Sequence, residues 1–212
     1  MIRVILCDDH AIVRRGIKDT LQEATDIQVV AEAEGYATLR EALRLHPCDV
    51  LLLDVDLPGR SGLEILAGLQ EQGQAPKTVM VSMYPEDQYA IRCLKAGAVG
   101  YLNKGGDPAD MLTAVRTAAQ GRKYITPVIA ELLANHLQTP VDADLHASLS
   151  ERELQTLRKM AAGKRLSDIA QELMISPKTV SVYRARVLEK LGLSNNAELT
   201  AYAIRHGLVS NA

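Results

Sequence analysis

Tryptophan and phenylalanine are both absent from the 212 residues, and the aromatic fraction is only 3%. No binding site in this chain can therefore be dominated by aromatic stacking. Cysteine is scarce as well. Cys7, Cys48 and Cys93 are odd in number, far apart and at no metal-ligand spacing, which excludes a disulfide framework and a cysteine-based metal site. They are expected to be reduced, partly buried thiols of a cytoplasmic protein. Long apolar runs are missing too. The opening run MIRVILC meets Asp8-Asp9 after seven residues, too short for a signal peptide or a membrane span. There is no internal repeat and no low-complexity tract.

What is present is an ordinary globular composition, 47% apolar, at a length that suits two small domains. The net charge of -2 conceals an asymmetry. Residues 1–121 hold 12 basic and 17 acidic side chains, net -5; residues 122–147 hold 2 and 3; residues 148–212 hold 10 and 6, net +4. An acidic front and a basic tail suggest different partners for the two ends, and the tail has the sign that suits a phosphate backbone.

Over residues 1–121, short apolar runs alternate with amphipathic stretches. Strands are expected at Val4–Cys7, Val29–Ala31, Val50–Leu53, Val79–Val81 and Gly100–Leu102. Helices are expected at Ile12–Gln22, Thr38–Arg44, Leu63–Gln70, Gln88–Lys95 and Ala109–Ala119, the last introduced by Asp107 as cap and Pro108 at the first turn. Five β–α alternations imply an α/β fold, a doubly wound five-stranded parallel sheet with helices on both faces. The unbroken Val50–Leu53 run reads as a central strand.

Sheets of this kind bind ligands beyond the carboxyl ends of their strands. Asp8 and Asp9 follow the first strand, Asp54 the third, Ser82 the fourth, and Lys104 comes after the fifth. Three carboxylates crowded together need a cation, and oxygen ligands with room for water suit Mg²⁺. Asp54 is then placed to act as a nucleophile that forms an aspartyl phosphate, with Lys104 and Ser82 on the phosphoryl oxygens. A lone Asp at a strand end is usually a cap or a solvated loop residue; the ordered set, each member at its own strand end, is what points to chemistry. His10 reads as a surface residue at a helix start.

Residues 122–147 read as a linker, with Pro127 opening a short helix through His136 and a flexible tether over Gln138–Ala147. Residues 148–212 read as a small all-α domain of four helices. Ser150 and Glu153 make an S-x-x-E capping box, with Leu149 and Leu154 placed as a hydrophobic staple. A short helix carries Ile169, Ala170 and Leu173, and Ser176-Pro177 starts the third helix. On that helix Val180, Val187 and Leu191 share an inward face, flanked by Tyr183. Lys178, Ser181, Val182 and Ala185 form an outward stripe with Arg184 and Arg186 beside it and Lys190 one turn on. Basic residues on a helix usually mark only a solvated face. Small residues with basic neighbours, after a short helix and a turn, suit entry into a DNA major groove. Asn195 and Glu198 cap a fourth helix that ends at Gly207.

The run Asp54-Val55-Asp56-Leu57-Pro58 with Gly62, together with Asp8-Asp9, Ser82, Tyr101 and Lys104, resembles a response-regulator receiver, a flavodoxin-like fold. SPKTVSVYRARVLEKLGL resembles the LuxR-type helix-turn-helix, and the two halves together resemble the NarL/LuxR (FixJ) family. The resemblance implies that Asp54 takes a phosphoryl group from a sensor histidine kinase. It implies that Asp9, Asp54 and the Asp56 backbone carbonyl ligate Mg²⁺ with Asp8 acting through water, and that Ser82 and Tyr101 move together as a switch. It further implies a homodimer on an inverted-repeat DNA site contacted by Lys178, Thr179, Ser181, Val182, Tyr183, Arg184, Ala185, Arg186 and Lys190, with RNA polymerase a further candidate partner and no membrane. It is not expected to be an enzyme beyond its own phosphotransfer and dephosphorylation. Two rivals are weaker. LLLDVDLPG resembles the D-x-D motif of haloacid-dehalogenase phosphatases, but that motif belongs on a first strand. A small-molecule-sensing LuxR regulator needs an aromatic-rich pocket.

Overall fold

The computed structural model describes residues 1–138 and 145–209. The chain divides into two compact units, Met1–Leu137 and Gln138–Ala212. In the first, strands β1 (Ile2–Cys7), β2 (Ile27–Ala33), β3 (Val50–Asp54), β4 (Lys77–Ser82) and β5 (Gly100–Asn103) alternate with helices α1 (Ala11–Gln22), α2 (Tyr36–Leu45), α3 (Gly62–Glu71), α4 (Glu86–Lys95) and α5 (Pro108–Ala119). All strand pairs are parallel, in the order β2-β1-β3-β4-β5. The five expected strands and five helices are all present, longer by one or two residues at one or both ends.

β3 is central and every one of its residues is buried. Alternate side chains of a strand point to opposite faces. Val50 and Leu52 join Val4, Leu6, Val79 and Val81 in a core closed by Ile17 and Leu21 of α1 and Val115 and Ala118 of α5. The strand order reverses between β1 and β3, the switch point at which such sheets open a crevice. Asp8 and Asp9 leave β1 on one side of it, and Asp54 ends β3 on the other.

Residues 122–137, read above as linker, group with the first unit. The Tyr124 N–H donates to the Val99 carbonyl at 2.7 Å, making a parallel bridge beside Gly100 on β5. The Thr126 hydroxyl pairs with Glu86 at 2.7 Å, and α6 runs from Pro127 to Gln138. Of the expected tether, residues 139–144 lie outside the described residues, and Leu145–Ser148 forms a 3-10 turn.

The second unit contains α7 (Glu151–Ala161), α8 (Leu166–Leu173), α9 (Pro177–Leu191) and α10 (Asn196–Arg205). The capping box of Ser150 and Glu153 is formed in both directions. α8 starts after Arg165, whose side chain makes no cap hydrogen bond. The turn from α8 to α9 runs through Met174, a non-glycine residue at φ 51°. Leu154, Leu157, Ile169, Leu173, Val180, Val187, Leu191 and Leu199 are buried, so the inward face read from the sequence of α9 is its packed face. No helix among the described residues is long and apolar enough to cross a membrane.

Candidate functional site

The acidic crevice is built on backbone ends that the sheet holds in place. The Asp8 N–H donates to Ala33 of β2 at 3.0 Å, and the Val55 N–H donates to Val81 of β4 at 3.1 Å, so both acidic segments are pinned to neighbouring strands. Asp8 and Asp54 are 1% and 2% exposed. The Lys104 ammonium lies 2.7 Å from Asp54 Oδ2 and 2.8 Å from Asp8 Oδ2. The contact to Asp54 is an aligned hydrogen bond. Asp8 Oδ2 holds the same ammonium in a second buried ion pair. Lys104 reaches the crevice because its own N–H is fixed to the Ser82 carbonyl at 2.7 Å.

Electrostatics in the crevice are unbalanced. Burial pushes the Asp54 carboxyl up to about 7, with Asp8 raising it further, while the Lys104 charge and hydrogen bond pull it back only in part. Burial alone pulls the Lys104 ammonium down; the two carboxylates outweigh it and leave its pKa raised. Asp8, Asp9 and Asp54 outnumber the single ammonium, and with His10 they offer four ligand atoms within 4.8 Å of one another. This excess of negative charge, with its clustered oxygen ligands, fits a divalent cation. Asp56 comes close through its backbone: its N–H donates to Asp54 Oδ1 at 3.1 Å.

Ser82 and Tyr101 meet at one residue. Ser82 Oγ accepts from the Tyr84 N–H at 3.2 Å, and the Tyr101 hydroxyl donates to the Tyr84 carbonyl at 2.7 Å. Asn103 Nδ2 donates to the same carbonyl at 3.0 Å, and the Tyr84 ring stacks on Tyr89. Sequence reading missed Tyr84 and Asn103. It also missed Arg14, whose guanidinium donates to the Asp8 carbonyl at 2.6 Å and is held from β2 by Glu32 and the neighbouring Glu34. An i, i+4 pattern could place Arg14 on α1 but could not name the carbonyl it reaches.

In the second unit, α9 presents Lys178, Ser181, Val182, Ala185 and Arg186 to solvent, with Thr179, Tyr183 and Arg184 half-buried. The Ser176 side chain accepts from the Thr179 N–H at 3.0 Å, so Thr179 belongs to the helix start. Arg184 Nε donates to Asn196 at 2.7 Å, which fixes its guanidinium against the start of α10. Lys190 lies in the last turn of α9. It was placed with the DNA-facing residues, but its ammonium sits 2.7 Å from the buried carboxylate of Glu153, because the last turn of α9 faces the start of α7. This ion pair ties those helices together and leaves the Lys190 side chain 39% exposed.

Residues 4–116 match the family model of the response regulator receiver domain, and residues 147–203 match that of the bacterial regulatory proteins of the luxR family. The chain belongs to the response regulators that carry a LuxR-type DNA-binding domain. Response regulator GacA of Pseudomonas viridiflava is 41% identical over 99% of this chain and 98% of its own length. Response regulator UvrY of Escherichia coli K12 is 37% identical over 98% and 96%. Among solved structures, RcsB from Salmonella enterica serovar Typhimurium, bound to promoter rprA in the presence of the phosphomimetic BeF3-, is similar with a TM-score of 0.65 and 26% identity, covering 95% of this chain and 97% of that one. ChrA, a response regulator of a heme-sensing two-component system, matches at a TM-score of 0.51 and 30% identity over 98% of both chains. This response regulator is a transcription factor of the NarL/LuxR group, and its acidic crevice could bind a metal.

Proposed function

We propose that a sensor histidine kinase phosphorylates Asp54 in the presence of Mg²⁺, and that the phosphorylated chain dimerises on an inverted-repeat DNA site to control transcription in the cytoplasm. The observation that carries this reading is the Asp54 carboxylate at the end of the central strand, touched by Lys104 and flanked by Asp8 and Asp9. Asp8, Asp9, Asp54 and the Asp56 carbonyl would hold the cation, which supplies positive charge for the crowded carboxylates and the arriving phosphoryl group. The Asp54 oxygen attacks phosphorus, the P–N bond to the kinase histidine breaks, and the imidazole leaves with the bonding pair. Lys104, already in the crevice, neutralises the phosphoryl oxygens. On this reading the chain catalyses only its own phosphotransfer and dephosphorylation.

The route from the crevice to the switch runs through Tyr84. When the Ser82 hydroxyl turns to the phosphoryl group it gives up the Tyr84 N–H, and Tyr101 holds the carbonyl of that same residue. Moving a population from 1:99 to 99:1 takes about 5.5 kcal/mol of preferential stabilisation. A few charge-assisted hydrogen bonds of roughly 1.5–3 kcal/mol each reach that sum. The test is incubation of the full chain with acetyl phosphate and Mg²⁺. One phosphoryl group is expected by mass in the wild type, and none in Asp54→Ala or in excess chelator. Labelling that survives either change overturns the assignment.

On DNA, Val182 is the exposed apolar residue of the outward stripe and suits a thymine methyl, whereas Arg184 at its edge suits a phosphate. Val182→Ala is expected to cost about 1–3 kcal/mol on the cognate duplex and much less on a scrambled one. Arg184→Ala should weaken both duplexes and reduce the salt slope by about one. Affinities on the two duplexes at several salt concentrations decide it; identical losses for the two variants would move the base-reading face elsewhere.

A further inference from the structure

The pairing of β4 with β5 ends at Ser82 and Asn103, and just beyond it the Lys104 N–H donates to the Ser82 carbonyl at 2.7 Å. Past that point the two chains leave the sheet as separate loops. Each begins beside a group that meets the phosphoryl oxygens: the Ser82 hydroxyl on one, the Lys104 ammonium on the other. Gly105 and Gly106 follow Lys104 and bring no side chains with which to hold its turn. The Asn103 carboxamide takes over where the ladder stops. Its Nδ2 crosses the gap and donates to the Tyr84 carbonyl at 3.0 Å and to the Met83 carbonyl at 3.3 Å. Its Oδ1 accepts from the Gly105 N–H at 2.7 Å, and its backbone carbonyl accepts from the Gly106 N–H at 3.0 Å. One side chain thus ties the turn that carries Lys104 to the loop that follows Ser82.

Tyr101 and Asn103 are alternate residues of β5 and so face the same side of the strand. The Tyr101 hydroxyl reaches the same Tyr84 carbonyl at 2.7 Å. A backbone carbonyl has two lone pairs, and these two donors match them. We propose that Asn103 is a positioning residue that holds the Tyr84 loop and the Lys104 turn as one piece, so that the Ser82 hydroxyl and the Lys104 ammonium close on the same phosphoryl group. The inference rests on reading Asp54 as the phosphoacceptor and adds the residue that aligns its two helpers. When Tyr101 moves with Ser82, Asn103 keeps the loop docked, because its Oδ1 stays tied to Gly105. Without the carboxamide, the ammonium is still drawn to Asp54 and Asp8, but the turn that carries it is no longer fixed relative to Ser82. A misplacement of about 1 Å in a positioned group costs up to about 10²-fold, so the effect falls on a rate constant.

The experiment labels the full chain with acetyl phosphate and Mg²⁺ and follows phosphorylation by mass over time. Asn103→Ala should reach the same stoichiometry as the wild type, with a rate constant about tenfold lower. A merely structural role would act differently, leaving a smaller labelled fraction that forms at the wild-type rate. That result overturns the proposal, and so does full labelling at the wild-type rate. Tyr101→Phe supplies the second arm, since it removes the other donor to the Tyr84 carbonyl and keeps the ring. The double variant should be slower than the product of the two single losses, because the loop then has neither donor. A double loss equal to that product would mean that the two residues act on separate elements, and the shared grip on Tyr84 would be wrong. A wild type that took no label at all would instead remove Asp54 as the phosphoacceptor, and the proposal with it.

Discussion

Gly62→Ala should destabilise the receiver by roughly 3 kcal/mol or more, beyond the usual 1–3 kcal/mol cost of overpacking. A Cβ at Gly62 would lie 1.9 Å from the backbone oxygen of Asp54 and 2.9 Å from its carbonyl carbon. Neither neighbour can give way. Asp54 ends the central strand, and the Gly62 N–H is itself bonded to the Val55 carbonyl at 2.9 Å. On the other side the chain is fixed by Ser61, a fully buried cap whose side chain accepts from Glu64 while its N–H is held by that residue's carboxylate. The new methyl group would displace the phosphoacceptor itself, so phosphorylation should fall even in the fraction that folds. Gly68→Ala is the control. It lies within the same helix, its nearest neighbour would be the flexible end of Arg60 at 3.5 Å, and alanine is favoured there by about 0.5–1 kcal/mol. Urea midpoints of the two variants check this; a Gly62→Ala midpoint equal to that of Gly68→Ala would mean that the close approach is not rigid.

Asp54→Asn, by contrast, is expected to stabilise the metal-free protein at neutral pH. Burial chiefly, and Asp8 next, raise the folded Asp54 carboxyl to about 7, whereas an unfolded aspartate titrates near 3.9. Between about pH 4 and pH 7 the folded state keeps a proton that the unfolded state has released. Stability of the wild type therefore falls as pH rises through that window, and the loss is complete above about pH 7. Its size is on the order of 2–4 kcal/mol. Asparagine carries no charge to bury, and Lys104 keeps Asp8 as its partner. In chelator the variant should thus exceed the wild type most at pH 8 and least at pH 5. Saturating Mg²⁺ should narrow the gap by stabilising the wild type more. Parallel unfolding curves from pH 5 to pH 8 would show that the buried charge is not what strains the crevice.

The acids and the lysine were legible in the sequence because each stands at or just past a strand end, where a short apolar run breaks off at a polar residue. Asp8, Asp54 and Lys104 needed only the order of the strands to be brought together. The inward face of α9 was legible for a similar reason, since Val180, Val187 and Leu191 repeat at helical spacing. Partners across the fold were not. Spacing puts Lys190 on the same helix as the basic stripe, and only the packing of α9 on α7 reveals Glu153 beneath it. Spacing likewise leaves His10 at the start of α1, and the direction of its ring depends on how β1 hands over to that helix. Tyr84 carries no sequence signal at all, because its function is exercised by its backbone N–H and carbonyl.

The bridge between Tyr124 and Gly100 has a practical consequence for the outer strand of the sheet. β5 is an edge, and an uncovered edge offers unpaired N–H and carbonyl groups as a template for strand addition by another molecule. The chain after α5 occupies part of that edge, with the Tyr124 N–H on Val99 and its Cβ packed over the position where Gly100 has no side chain. A fragment cut after Gly121 would uncover this rim and should self-associate at concentrations where a fragment ending after α6 stays monomeric. Light scattering on the two fragments would show it, and equal behaviour would mean that the rim is harmless when bare.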